Sequence, residues 1–273
     1  MQLARRTRPA VPVIVTVFSF LGSSCGDSET EPSTVGSDGT SASGRESIQY
    51  PTEADTAVVR IDGGQPRPGS IPKLVIGGDG KVYEPDEVPD GLHGIAPPQP
   101  GAQPVIVRQL TPQGTQSILQ RADELGLLAE PPEYEEPDVT DQGSTHVTFE
   151  AVGRTFEHSA YALTYENPEI DDERQRLSDF VKDLDDMEAL VGSDNVGPAT
   201  QYLPERWSVS AGNTYWVPGD DPLRWPAGVE VTEGCIALNI DEFPSGVAGR
   251  YLADGAEGKQ LIAVAPDMPG DNC

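Results

Sequence analysis

Apolar residues recur along this chain in two rhythms: alternation, which predicts strands, and a three-to-four-residue spacing, which predicts helices. Val58-Val59-Arg60-Ile61 and Lys73-Leu74-Val75-Ile76 are short β-type runs bounded by glycine and proline. Gly77-Gly78-Asp79-Gly80 tolerates positive φ, and Lys81-Val82-Tyr83 returns as a second strand, so this stretch predicts a hairpin. Neither a GxGxxG pattern nor a Lys-Ser/Thr pair follows, so a phosphate loop is the poorer reading of those glycines. Val105-Ile106-Val107-Arg108 is a further strand.

Thr111-Pro112 then supplies an N-cap with proline at the first helical position. Ile118, Leu119, Ala122 and Leu125 follow at helical spacing, and Gly126 ends the helix. A second helix is predicted over residues 168–191. There Leu177, Phe180, Val181, Leu184, Met187 and Val191 form one apolar stripe opposite an acidic face. Between the helices, residues 146–151 and 154–161 flank Val152-Gly153 and read as a hairpin. With those two residues as the turn, Ala151 pairs with Arg154, Phe149 with Phe156 and Val147 with His158. Val147, Phe149, Phe156 and His158 then share the apolar face, and His146, Thr148, Glu157 and Ser159 the other.

These elements predict an α+β fold: an antiparallel sheet with two helices packed on one face, followed by a mainly β or irregular C-terminal segment rich in proline, glycine and tryptophan. The expected divisions are 1–24, 25–56, 57–192 and 193–273, with the last packed on the third. Residues 25–56, dominated by Ser, Thr, Gly, Asp and Glu, read as a disordered tether. As a flexible coil of about 30 residues it would span roughly 30 Å.

Arg5, Arg6 and Arg8 precede an apolar run from Ala10 to Leu21, the outline of a secretory signal. The run contains Pro12 and is short of the ~20 residues that a membrane-spanning helix needs. Leu21-Gly22-Ser23-Ser24-Cys25 closes it and resembles the lipobox of bacterial lipoproteins, with leucine displaced one place by Gly22. The resemblance implies cleavage before Cys25, a lipid such as palmitate on that cysteine, and attachment to the outer face of the cell membrane. An ordinary secretory signal cut near Ser24 is the alternative. With Cys25 acylated, Cys235 and Cys273 remain as an even pair able to form a disulfide in an oxidising compartment. That bond would close a loop of about 38 residues and stabilise by roughly 3 to 4 kcal/mol.

The mature part resembles a group of secreted proteins and lipoproteins from actinobacteria whose activity is uncharacterised. The likeness rests on the Gly78 to Tyr83 hairpin, Ala122-Asp123-Glu124-Leu125-Gly126-Leu127-Leu128, Val139-Thr140-Asp141 and Tyr161-Ala162-Leu163. It implies fold and location and carries no activity.

A formal charge of -27 makes nucleic acid and anionic membrane surfaces poor partners. Carboxylates cluster at Asp171-Asp172-Glu173, Asp183-Asp185-Asp186 and Asp220-Asp221. None has the alternate-ligand spacing of a calcium loop, so a solvated acidic surface is the favoured reading. No metal site or cofactor is expected. The chain has no G-x-S-x-G elbow. Opposite-face placement separates His146 from His158 and argues against shared zinc. His158 is expected as a hydrogen-bonded core residue, His146 at the surface, and His93 in a loop with no adjacent nucleophile. Trp207, Tyr215, Trp216 and Trp225 predict either a stacking platform for sugar or peptide or the core of the C-terminal segment, and the core reading is favoured.

The leading expectation is a non-catalytic, lipid-anchored extracytoplasmic protein that binds an envelope protein or glycan. The alternatives are an envelope hydrolase using a carboxylate acid/base pair and the solute-binding subunit of a transporter. The alternating parallel strands of the last are not evident.

Overall fold

The computed structural model describes residues 47–63, 71–86, 104–134, 137–163, 165, 171–212, 222–231, 233–238, 248–255 and 258–271. The chain divides into two units, Met1–Arg45 and Glu46–Cys273, and every described residue belongs to the second. In chain order its elements are β1 (Ala57–Asp62), β2 (Leu74–Gly77), β3 (Lys81–Pro85), β4 (Val105–Gln109), α1 (Pro112–Glu124), β5 (Ser144–Ala151), β6 (Arg154–Tyr161), α2 (Asp172–Asp185), α3 (Met187–Val191), β7 (Thr200–Gln201), β8 (Arg206–Gly212), β9 (Leu223–Arg224), β10 (Gly234–Ala237), β11 (Gly249–Gly255) and β12 (Gly258–Pro266).

Seven strands make one antiparallel sheet in the order β6-β5-β1-β2-β3-β4-β7. A second, mainly antiparallel sheet toward the C-terminus runs β10-β8-β12-β11-β9, with β9 and β11 parallel. The fold is therefore α+β. The helices lie on one face of the larger sheet because their apolar stripes and the inward positions of the strands can leave water only together. Ile118, Leu119 and Ala122 of α1 and Leu177, Phe180 and Leu184 of α2 share a core with Ile61, Ile76, Val147, Phe149 and Phe156. The rings of Phe149 and Phe180 meet at 5.1 Å. Truncating either to alanine would cost about 3 to 5 kcal/mol.

Local signals act as their chemistry dictates. The Thr111 hydroxyl caps α1 by accepting the Gly114 N–H at 3.1 Å, with Pro112 opening the helix. Gly126, at φ 74°, lets the chain leave α1, and the Leu127 N–H closes the turn on the Ala122 carbonyl at 2.8 Å. The β5–β6 hairpin has the expected register, with Ala151 opposite Arg154, Phe149 opposite Phe156 and Val147 opposite His158.

Two expectations are corrected. The single helix over 168–191 is broken: Asp186 leaves helical geometry (φ −119°, ψ 66°) and its carboxylate accepts the Ala189 N–H at 3.2 Å, capping α3. The apolar stripe survives because Leu184, Met187 and Val191 stay buried on both sides of the break. Residues 168–170 lie outside the described residues. The tether expected over 25–56 also ends early. Ile48 exchanges two hydrogen bonds with the Gln116 amide, at 3.0 and 2.6 Å, and Ile48 and Tyr50 pack against the main core. Two apolar residues at strand spacing, ending a polar stretch, are enough to dock it. Residues 1–46, with the signal, Cys25 and the remaining tether, lie outside the described residues.

The docked segment explains a glycine. A Cβ on Gly78 would fall 2.4 Å from the Glu53 carbonyl oxygen and 2.7 Å from that of Pro51, so this position serves close approach. Positive φ in the same turn belongs to Gly80.

The segment 193–273 is fastened to the larger sheet. β7 pairs with β4, and on the sheet's second face Met268 packs against Val75, Tyr83 and Val105. Arg60 reaches Asp62 at 2.9 Å and Asp271 at 2.8 Å, holding the end of the described chain against β1.

Candidate functional site

A cleft of about 220 Å³ opens where the end of α1, the following loop, β6 and the start of α2 meet. Its apolar wall includes Leu125, Leu127 and Pro132, and Glu130, Glu173 and Arg176 contribute charge. His158 and Tyr134 also line it. Three local features converge here. The Gly126 turn brings the Leu127 carbonyl within 2.8 Å of His158 Nε2; strand parity points His158 toward the helices; and the loop returns Tyr134 so that its hydroxyl lies 2.6 Å from His158 Nδ1.

Only Nε2–H can face a carbonyl oxygen favourably, so Nε2 carries the proton and Nδ1 accepts from the Tyr134 hydroxyl. Burial lowers the His158 pKa below its ordinary value, the Leu127 bond opposing it in part. Burial pushes the Tyr134 phenol up to about 12. Both groups are therefore neutral near pH 7, and both imidazole nitrogens are spent inside the protein. The cleft can hold a ligand, but its imidazole offers no free lone pair for taking a proton. His158 is the hydrogen-bonded core residue expected from its strand position.

His146 lies on the opposite face, as expected, so the two histidines share no site. Sequence reasoning missed its neighbours: the strand registers align Asp62, His146 and Ser159 in a row across β1, β5 and β6. These are the residue types of a hydrolase triad. However, Asp62 is engaged by Arg60 at 2.9 Å, and among the described residues the His146 imidazole has no hydrogen bond to the side chain of either neighbour. Residue type without that coupling does not activate a serine. His93 lies outside the described residues.

The acidic clusters have structural work. Asp171 and Asp186 cap α2 and α3, Asp183 meets Arg121 at 2.7 Å, and Asp185 meets Lys73 at 2.7 Å. No group of three or more metal-ligating side chains occurs among the described residues. Asp220 and Asp221 lie outside them. Asp267 and Asp271 neighbour one another, yet Asp271 spends its oxygens on Arg60 and the Met268 N–H, and Asp267 pairs with Arg206 at 2.6 Å. Burial raises the Asp267 carboxyl pKa, and Arg206 opposes this only in part. The pair fastens the C-terminal segment and lines no cleft described here.

The two tryptophans that can be placed lie in a core, the favoured of the two readings, and not on a stacking platform. Trp207 is 1% exposed and Trp225 7%, both in the core of the second sheet with Val209, Tyr251 and Ile262. Trp225 meets Tyr251 edge-on at 5.7 Å and donates to the Val229 carbonyl at 2.9 Å. A small sheet with few large apolar residues needs those rings inside it. Tyr215 and Trp216 lie outside the described residues. Cys235, on β10, is disulfide-bonded, with its partner also outside them.

Arg174 is a buried charged residue that sequence reasoning passed over. Its guanidinium donates to the carbonyls of Tyr161, at 2.6 Å, and Ala162, fixing the end of β6 to α2. The signal was present: position 174 lies three residues before Leu177, on the apolar stripe itself. Among the described residues no helix is long and apolar enough to cross a membrane. Comparisons with protein-family models, curated proteins and solved structures find no match for this chain.

Proposed function

We propose that this is an extracytoplasmic protein, tethered to the outer face of the cell membrane by a lipid on Cys25, that binds an envelope partner without transforming it. One observation carries the non-catalytic part: the cleft's imidazole and phenol are neutral and bonded to each other and to the Leu127 carbonyl. What remains is an apolar wall beside charged groups, suited to recognition. The basic start, short apolar run and Leu21-Gly22-Ser23-Ser24-Cys25 support the anchor, and the polar stretch after it supports a spacer.

The test is intact-mass analysis of the protein recovered from the membranes of an exporting host, beside a Cys25→Ser variant. A chain beginning at Cys25 and heavier by acyl groups, with the variant released from the membrane, is the expected result. An unacylated chain would overturn the anchor. Turnover of ester, glycoside or peptide substrates by the purified protein would overturn the non-catalytic reading.

A further inference from the structure

We infer that the free edge of β6 takes up an extended, basic segment of a partner protein as an added strand, with one apolar side chain lodged in the cleft beside His158. This rests on the binding reading above and names its site and partner chemistry.

The hairpin register decides which backbone groups are available. A two-residue turn at Val152-Gly153 makes Ala151 and Arg154 a hydrogen-bonded pair. Alternation then commits the backbone groups of Arg154, Phe156, His158 and Ala160 to β5 and turns those of Thr155, Glu157 and Ser159 outward. Sheet order puts β6 at the edge, and none of these three has a backbone partner among the described residues. Their side chains are exposed. Arg174 occupies the Tyr161 carbonyl, so the open stretch is 155–159, roughly 17 Å at 3.4 Å per residue.

Edges left this open are commonly defended by proline, a bulge or several charges. β6 has no proline, its register with β5 is unbroken over its whole length, and its outward face carries one charge, Glu157. The cleft lies against this strand, because His158 is part of both. At about 220 Å³ it is smaller than a typical small-molecule site and suits a single side chain. In strand addition, backbone bonds supply affinity and a pocket for every second side chain supplies selectivity.

Charge selects the occupant. Around the edge and cleft Glu130 pairs with Arg154 and Glu173 with Arg176, which leaves Glu157 and Asp171 to make this surface net acidic. A basic segment complements this surface, and a second copy, at formal charge -27, would be repelled by it.

The test uses the mature chain and a fluorescent peptide of about eight residues alternating lysine and valine, beside the same peptide N-methylated at alternate residues. Expected results are salt-sensitive binding, about tenfold weaker for the methylated peptide, and slowed hydrogen exchange at Thr155, Glu157 and Ser159. Glu157→Pro deletes an outward N–H that β5 does not use and should weaken binding by a similar factor. Ala129→Trp, at an exposed cleft position, should remove the preference for valine over glycine in the peptide and keeps the test decisive if the proline variant fails to fold. Equal binding of the methylated peptide, unchanged exchange at the edge, or self-pairing through β6 in sedimentation would overturn the inference. Envelope binding that persists in both variants would leave the binding reading intact and place its site elsewhere.

Discussion

The hydroxyl of Tyr134 lies 2.6 Å from Nδ1 of His158, and this bond joins the loop after α1 to β6. Tyr134→Phe removes the donor and leaves a buried ring nitrogen without a partner. A loss of about 1 to 3 kcal/mol is expected, read from the urea midpoint at unchanged slope. A loss near zero would mean that water replaces the phenol and that the loop is not held by this bond.

The same histidine sets a pH dependence. Burial lowers its folded pKa below 6.5, so the unfolded chain binds the proton first as pH falls. Stability attributable to His158 is therefore full above 6.5 and declines as pH drops below that value toward the folded pKa. His158→Gln should remove this part of the slope. Denaturation curves for both proteins on either side of 6.5 check it, and identical slopes would show that His158 binds its proton equally in the folded and unfolded chains, so that burial does not lower its pKa.

Val152 occupies the first turn position of the β5–β6 hairpin at φ 47°, a left-handed conformation that a β-branched residue adopts with strain. It is 51% exposed, so its side chain contributes little packing. Val152→Asn should raise stability by about 1 kcal/mol, measured as a higher thermal midpoint. A decrease would show that Val152 packs against the docked segment around Gln49, whose carbonyl its N–H already bonds.

The hairpin was legible because its information is local: a two-residue period and a two-residue turn set every partner, including which histidine is buried. The break at Asp186 was not, since an acid among acids reveals its capping role only through backbone geometry. Ile48 and Tyr50 were hidden by the polar stretch before them, because their partners, Gln116 and the main core, are distant in sequence. The cleft was illegible for a similar reason. Leu127, Tyr134, His158 and Arg176 belong to three regions that meet through packing of helices on the sheet. The tryptophans were ambiguous because a proline-rich context suits either a platform or a small core.

Gly78 tests the docked segment directly. With carbonyl oxygens of Glu53 and Pro51 where a Cβ would stand, Gly78→Ala must push the segment away or distort the β2–β3 turn. A cost of about 1 to 3 kcal/mol is expected, with faster hydrogen exchange at the Ile48 amide. Gly153→Ala is the comparison, since that glycine has open space around it but sits at φ 71°. A Gly78→Ala protein as stable as the parent would mean that residues 51–53 do not hold this position.

The disulfide of Cys235 decides between two fates for Cys25. A sulfur that carries a lipid thioether cannot also join a disulfide, so the lipoprotein reading requires Cys235 to pair with Cys273. Non-reducing digestion of membrane-derived protein should yield one cross-linked peptide containing Cys235 and Cys273 and an acylated peptide beginning at Cys25. Cys273→Ser should then lower stability by roughly 3 kcal/mol, from the loop that the bond closes. A cross-link between Cys25 and Cys235 would instead remove the site for the lipid and make the chain a freely secreted protein, leaving the fold and the β6 edge unchanged.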